Sequence, residues 1–511
     1  MEPIHILNLP EDILYDIFKY FQCNNIHRGL FDGTRYEDTT NRQTVKTARL
    51  VCRLFNQLAS RLLCPSIQVR IDHDSLDFLT KVSESIFVAE SVYSIEIVLD
   101  YRPRELAEDL LRFGNHRARQ LITNVHNECE QNINMWERGG YGIEIPDYPY
   151  SDYRQLMDYC SEMHSAWSGY AAAENNLAED AISLEKLEIF RQGHREYIQK
   201  HEEQFQLITD GSFVNRLVSA MSGMSHCASV RFVDCEDCYS IPSNASPLTF
   251  RDDTLEFSRF MTAPLSWRDI NRLDGGAENV SAKLLWELPI ALHNAGLILR
   301  SIFIRRFPHP NWYPVNYPAP WTNLSAACQH LSEFHLESII LRGSSKPFDP
   351  LLGREQALIE QYMGAVLSSE ALEVIVISFQ DIDTIASLYR PSTYYRAGLL
   401  PEAINWPRIK RLDISHISFS QVELENFCSG LGYKIEDIRL CYMALRSGSW
   451  AGILDMLRER AAKKRQSCKY LYELTGGELG QQNTRLIEES RDYVNGVRVT
   501  ENPLMGRSYS T

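Results

Sequence analysis

The sequence predicts an α/β protein that consists of an N-terminal helical module and an irregular solenoid of parallel strands plus helices, with a helical insertion. Three patterns lead to this prediction. Apolar residues at three- and four-residue spacing dominate the first 65 residues. A short apolar-x-x-apolar-x-apolar template then recurs along the chain, each time after a stretch with helical spacing. A segment between residues 101 and 209 interrupts this recurrence and keeps helical spacing throughout.

Residues 1–65 are predicted to form the helical module. Its first helix begins at Leu9-Pro10, because proline is well tolerated where a helix starts and an N–H has no partner. The apolar stripes of the module are too short to be buried within it, so part of this surface should face a partner. Residues 22–43, rich in Gly, Asn, Asp and Thr, are predicted to be a loop insertion. The stripes consist of Ile13, Leu14, Ile17, Phe18 and Phe21, and then of Val45, Ala48, Val51, Cys52, Phe55, Leu58 and Leu62.

Residues 66–485 are predicted to form the solenoid. A strand–helix unit of about 26–40 residues cannot cover its own apolar face, so neighbouring units stack with their strands in parallel. This pattern is typical of leucine-rich repeats, here irregular because the asparagine ladder of the strict consensus is absent. A doubly wound sheet is the alternative, but no Gly-rich phosphate-binding turn follows a strand, and the solenoid is favoured. The template occurs at Cys64/Ile67/Val69, Val92/Ile95/Ile97, Cys227/Val230/Phe232, Leu299/Ile302/Ile304, Leu331/Phe334/Leu336, Leu372/Ile375/Ile377, Ile409/Leu412/Ile414 and Ile435/Ile438/Leu440.

Three segments depart from the repeat. The insertion at 101–209 is predicted to form two or three helices, with Gly169 and Gly193 as candidate helix ends. It would pack on the flank of the solenoid or contact a client protein. A second insertion at 236–280 is predicted to be irregular, and residues 486–511 are predicted to be a flexible tail. A last strand–helix unit fits the template poorly, because Glu473 takes its third apolar position.

Composition narrows the class of protein. The 511 residues carry a net charge of −15, which argues against nucleic acid or an anionic membrane as the main partner. No signal-like or membrane-spanning apolar run is found, so a cytoplasmic and/or nuclear location is expected. The 12 cysteines are scattered, which favours reduced, buried thiols. Cys227, Cys235 and Cys238 supply only half of a typical zinc site, so neither a metal nor another cofactor is predicted.

Catalytic motifs are missing from the sequence. There is no G-x-S-x-G elbow, no Walker loop, no G-x-G-x-x-G turn and no H-E-x-x-H helix. No catalytic residue is therefore assigned, and a non-catalytic protein is expected. A hydrolase or metalloenzyme that uses the Cys227–Cys238 region is the alternative from the enzyme class.

Two strings near the N-terminus carry a family resemblance: LPEDI at residues 9–13 and VCRLF at residues 51–55. The module resembles the F-box, which docks on the Skp-type adaptor of cullin-based ubiquitin ligases. With its repeats, the chain is similar to the F-box proteins with degenerate leucine-rich repeats of filamentous fungi. The resemblance implies that ten residues contact the adaptor or support those contacts. They are Leu9, Pro10, Ile13, Leu14, Ile17, Phe18, Val51, Cys52, Phe55 and Leu58.

The resemblance also implies a function. The chain would bind the adaptor and, through it, cullin, while the solenoid holds an unidentified client protein. An adaptor-bound scaffold without a ligase role is the alternative. Residues 40–70 contain six basic and no acidic side chains, which would complement an acidic adaptor or simply form solvated helix faces. Four aromatic residues interleaved with prolines are a weaker prediction for client binding, with a structural loop as the alternative: Trp312, Tyr313, Tyr317 and Trp321.

Overall fold

The computed structural model describes residues 9–20, 43–137, 150–172, 181–234, 251, 254–308, 320–338, 353–380, 395–396, 405–431, 435–464, 467–472, 474–479, 484–497 and 499–506. The chain divides into two compact units. Unit 1 comprises Met1–Val98, Gly211–Val233 and Ala282–Thr511, and unit 2 comprises Leu99–Asp210 and Asp234–Ser281.

The described part of the chain contains strands and helices in alternation over most of unit 1. The strands are β1 (Ser66–Arg70), β2 (Ser94–Val98), β3 (Ser229–Val233), β4 (Ser301–Ile304), β5 (Glu333–Leu336), β6 (Val374–Ser378), β7 (Tyr395–Arg396), β8 (Arg411–Ser420), β9 (Asp437–Ser447) and β10 (Ser467–Tyr472). The helices are α1 (Glu11–Lys19), α2 (43–48), α3 (Arg53–Ser60), α4 (His73–Ser83), α5 (Ile86–Ala89), α6 (Arg104–Glu108), α7 (Leu110–Gln120), α8 (Asn127–Glu137), α9 (Tyr150–Ala172), α10 (Ala181–Thr209), α11 (Ser212–Ser222), α12 (Thr254–Thr262), α13 (Trp267–Asn271), α14 (Leu284–Asn294), α15 (Trp321–Ala327), α16 (Gly353–Val366), α17 (Gln421–Ser429), α18 (Trp450–Lys464) and α19 (Thr484–Asn495).

The strands form one parallel sheet whose order follows the chain, from β1 to β10, with the short β7 paired beside β8. Among the described strands, the order shows no reversal of the kind that marks a doubly wound sheet. The mixed α/β class and the parallel strands are thus confirmed. β7, only two residues long, left no recognisable pattern in the sequence.

The predicted template sets the register of the sheet. Its second and third apolar positions pair across consecutive strands without slippage from β1 to β9. Alternate residues of a strand point to the same face, so these positions form two buried lines, the inner rows. Branched and aromatic side chains fill them, as a sheet face that is buried requires. The inner rows are Ile67, Ile95, Val230, Ile302, Phe334, Ile375, Leu412 and Ile438, and Val69, Ile97, Phe232, Ile304, Leu336, Ile377, Ile414 and Leu440.

The last strand corrects the sequence prediction. The template places Glu473 in the third apolar position of this last unit. In the structure the pairing of β10 shifts between Ser467 and Tyr470, and Leu471 pairs with Leu440 instead. Leu471 therefore continues the second inner row, and it is 2% exposed. The shift places an apolar residue where the strict template had a carboxylate.

Helices that follow successive strands contact each other in chain order. Helix α4 contacts α11, α11 contacts α14, and α14, α15 and α16 follow in turn. The same holds for α17, α18 and α19. Within each of these two series, a strand–helix unit therefore packs against the unit that follows it through both its strand and its helix.

The end of the chain differs from the flexible tail predicted for 486–511. Helix α19 contacts β10 and α18, and it buries Leu486, Ile487, Tyr493 and Val494. Leu504 is also buried. The apolar residues lie at helical spacing but are separated by many charged ones, so the segment did not stand out in the sequence.

Unit 2 is helical in its described part, as predicted for 101–209, but its details differ. Helices α9 and α10 run through Gly169 and Gly193 without a break. A Cβ at Gly193 would lie 2.8 Å from Met261 Cβ, so this glycine allows close helix packing rather than ending a helix. The segment at 236–280, predicted to be irregular, contains two helices in its described part, α12 and α13, with residues 263–266 and 272–279 outside any helix or strand.

Candidate functional site

The N-terminal helices pack around a small apolar core of their own. Phe18 and Phe55 meet edge to face, with ring centroids 4.9 Å apart. Four of the predicted adaptor-binding residues, Leu14, Phe18, Phe55 and Leu58, belong to this core together with Val45, Ala59 and Leu62. These four support the surface of the module rather than form it.

Other residues of the same stripes lie outside the core. Ile13 is 44% exposed, Ile17 36% and Val51 62%. Tyr20 and Leu50, which the sequence prediction did not include, are each 86% exposed. We call Ile13, Ile17, Tyr20, Leu50 and Val51 the N-terminal apolar set. Large apolar side chains exposed in such number within a small module are typical of an interaction surface.

The turn between α2 and α3 explains why Leu50 and Val51 point away from the core. The backbone N–H groups of both residues bond three residues back, to Thr47 and Ala48. The chain then turns into α3, where the Phe55 N–H donates to Cys52 Sγ at 3.4 Å. Cys52 therefore caps a helix and orients the string that carries the resemblance.

A side chain of the turn fixes it to α3. Arg49 Nε donates to Asn56 Oδ1 at 3.2 Å and to Ser60 Oγ at 2.9 Å. Leu9 packs half-buried against the module core, and Pro10 is exposed at the start of α1. The structure thus divides the ten predicted residues between an exposed group, a supporting core and a helix cap.

The basic residues of this region also divide into two groups. Arg49 is held by the bonds just described, and Arg61 Nε lies 3.2 Å from Glu90 Oε2. Lys46, Arg53 and Arg70 are exposed, whereas Arg42 lies outside the described residues. The exposed positive charge near the N-terminal apolar set comes from Lys19, Lys46 and Arg53, and Glu11, Asp12 and Asp16 on α1 expose negative charge.

The second candidate surface is the face of the sheet opposite the inner rows. On this face, the residues midway between the two inner-row positions of each strand form one line, and its members interact from strand to strand. We call this line the outer row, and it consists of Gln68, Glu96, Arg231, Phe303, His335, Val376, Asp413 and Arg439. Gln68 Nε2 donates to Glu96 Oε1 at 2.9 Å, and Arg231 Nε lies 3.5 Å from Glu96 Oε2. The Arg231 guanidinium lies 4.0 Å from the Phe303 ring centroid, and that ring is 6.1 Å from His335. The outer row thus offers charges, amides and the half-buried His335 ring to a ligand, whereas the Phe303 ring is buried.

The outer row ends in a second charged cluster on β8 and β9. Arg411 and Arg439 lie 3.3 and 4.0 Å from Asp413 Oδ2, and Arg439 also bonds Asp437 at 3.0 Å. Burial raises the pKa of Asp413, although both arginines oppose this shift. Positive and negative side chains are therefore balanced here.

Two strained residues stand next to this cluster. His416 and Tyr442 lie in neighbouring strands with φ of 58° and 51°, a region that non-glycine residues rarely adopt. Their rings stack with centroids 4.6 Å apart. Burial lowers the pKa of His416 to about 4. Nothing in the sequence indicated this pair, because histidine and tyrosine do not mark the left-handed conformation.

The predicted client-binding aromatics fall mostly outside the described residues, which include Trp321 but not Trp312, Tyr313 or Tyr317. Trp321 is half-buried at the start of α15 and donates to Gln361 Oε1 at 2.9 Å. Its ring meets Trp286 and Tyr362 edge to face. The packing of Trp321 corresponds to the structural alternative.

Four of the described thiols are poor nucleophiles. Burial raises the pKa of Cys227, Cys328 and Cys428 to about 12 and that of Cys441 to about 11. Among the described residues no three His, Cys, Asp or Glu side chains converge as a metal site would require. Cys235 and Cys238 lie outside them. None of the described helices combines the length and apolar character needed to cross a membrane.

Comparisons with protein-family models, with curated proteins and with solved structures found no match to this chain.

Proposed function

We propose that this chain is the substrate-recognition subunit of a Skp–cullin–F-box ubiquitin ligase. The observation that carries the proposal is the N-terminal apolar set. Ile13 and Val51 belong to the strings that resemble the F-box, and Ile17 lies one helical turn after Ile13 on α1. All three remain exposed while their neighbours form a core. An adaptor that covers these side chains would remove apolar surface from water, which stabilises a complex by about 25 cal/mol per Å².

The charge on α2 and α3 supports the same partner. Lys46 is exposed on α2 and Arg53 on α3. An acidic adaptor would meet positive charge at the rim of an apolar contact, which speeds encounter and favours one orientation.

The remainder of unit 1 is proposed to be an irregular leucine-rich-repeat solenoid. In such repeats the strands and the helices both follow the order of the chain, and each unit carries one copy of the template. The described part of unit 1 has its strands and most of its helix contacts in this order. The outer row is the proposed client surface, since side chains from eight strands can contact one extended partner there. We propose no catalytic role: the chain would hold a client near the transfer site and so raise its effective concentration.

Co-purification tests the proposal. The full chain is co-expressed with the Skp-type adaptor and cullin of its own organism, beside the variant Ile13→Asp/Ile17→Asp. Retention of both partners by the wild type, and their loss from the variant, supports the receptor role. Retention of the adaptor without cullin identifies the scaffold alternative. If neither protein is retained by the wild type, the F-box assignment is wrong.

A further inference from the structure

Unit 2 contains buried hydroxyl and carboxylate oxygens that have no hydrogen-bond partner among the residues that the structure describes. Tyr101 and Tyr197 are both fully buried, yet neither Oη is bonded to any of these residues. Glu105 Oε1 accepts from the Glu278 N–H at 2.8 Å, but its other oxygen, Oε2, is buried without a partner. Leaving such a group unpaired costs about 1–3 kcal/mol, so three of them in one region require an explanation.

These groups belong to one neighbourhood. Tyr101 and Glu105 are four residues apart, just before and within α6, which contacts α10. The Tyr101 ring lies 6.0 Å from His201, which stands one helical turn after Tyr197 on α10. His201 Nδ1 bonds the carbonyl of Arg102 at 2.6 Å and so ties the two segments together.

The protonation states of the groups are complementary. Burial raises the pKa of both tyrosines, and the nearby Glu105 carboxylate raises it further. Both phenols are therefore neutral donors at physiological pH, and each can also accept a hydrogen bond. Water is the small ligand that both donates and accepts, and buried water typically bridges two to four such groups.

We propose that Tyr101, Tyr197 and Glu105 surround a buried hydration site, in which one or two ordered water molecules bridge the two phenol hydroxyls to Glu105 Oε2. The water would link α6 to α10 within unit 2. Because this site lies in the insertion, it is independent of the function proposed above.

Thermal unfolding of the full-length chain distinguishes a hydrated site from a dry one by the sign of the change. Tyr101→Phe and Tyr197→Phe keep the ring and remove only the hydroxyl. A bridged hydroxyl contributes to stability, so each variant is expected to unfold at a temperature lower by roughly 2 °C or more. In a dry site the same change removes an unpaired buried donor, and an unchanged or higher unfolding temperature overturns the proposal.

A matched control and a double variant complete the test. Tyr493→Phe removes a hydroxyl that donates to Asp455 Oδ1 at 2.6 Å, so it calibrates the loss of a satisfied phenol. A shared water makes the losses at Tyr101 and Tyr197 non-additive, whereas additive losses contradict a shared site.

A high-resolution crystal structure of the full chain should show a water within hydrogen-bonding distance of both hydroxyls. Direct contact of either hydroxyl with Glu105 and no water would overturn the proposal.

Discussion

The inner rows of the sheet and the N-terminal helices carry similar apolar side chains but differ in how completely these side chains are buried. Every residue of the inner rows is almost fully buried, from Ile67 to Leu440. In the helical module, Leu14 is completely buried while its neighbour Ile13 is not. A strand–helix unit of the sheet is covered by the next unit of the same chain, whereas the N-terminal helices leave Ile13, Ile17 and Val51 exposed. Between these two regions, the N-terminal helices are therefore the one with apolar surface that another protein could cover.

The largest difference between the two regions should be one of stability. Ile302 is completely buried in an inner row, so Ile302→Ala is expected to lower the free energy of unfolding by about 2–5 kcal/mol. Ile13→Ala removes the same atoms from an exposed site and should change it by less than about 0.5 kcal/mol. Denaturant titration of both variants measures the contrast. Equal losses would show that the exposed isoleucine is in fact part of a core.

The strained end of the sheet should respond to acid. Folding lowers the pKa of His416 from 6.5 to about 4, so the unfolded chain binds this proton more readily. The resulting stability is complete above pH 6.5 and is lost as the pH falls toward 4, by up to about 3 kcal/mol. His416→Asn suits the left-handed backbone but does not titrate. Its unfolding free energy should fall less over this pH range than that of the wild type, and identical slopes would refute the prediction.

Two glycines of the helical insertion differ in the space around them in the same way that the two isoleucines differ in burial. A Cβ at Gly114 would lie 2.0 Å from the Trp167 ring, whereas nothing lies within 4 Å of one at Gly169. Gly114→Ala should therefore destabilise the protein by about 1–3 kcal/mol through overpacking. Gly169→Ala, inside α9, should stabilise it by about 0.5–1 kcal/mol. Thermal unfolding of the pair checks both signs, and a neutral Gly114→Ala would contradict this packing.

The smallest expected effect concerns charge at the docking surface. Lys46→Ala/Arg53→Ala should slow association with the adaptor several-fold at low salt and weaken the dependence of the rate on ionic strength. Arg485→Ala is the control, since Arg485 is exposed on α19 within the same unit. Stopped-flow or surface-binding kinetics would separate the two. If both variants slow association alike, the effect comes from net charge rather than from this surface.

The sequence predicted some of these features closely because they depend on local patterns. One repeated template gave the register of Ile302 and its neighbours, since strand side chains alternate strictly. The same approach could not separate Ile13 from Leu14, because both lie on one helical stripe and only the position of α3 decides which is buried. Gly193 was misread for a similar reason: its role depends on Met261, 68 positions away in the sequence. The left-handed His416 and Tyr442 have no sequence signal at all.

The most direct test of the docking assignment compares two valines of nearly equal exposure. Val51, in the N-terminal apolar set, is 62% exposed, and Val422, on α17, is 64% exposed. Calorimetric titration of the full chain with the Skp-type adaptor should show that Val51→Asp weakens binding at least tenfold, a loss of about 1.4 kcal/mol or more. The reason is that the variant places a charge in a contact from which water is excluded. Val422→Asp should bind as the wild type does. Equal affinity of all three proteins, each shown to be folded, would contradict the account.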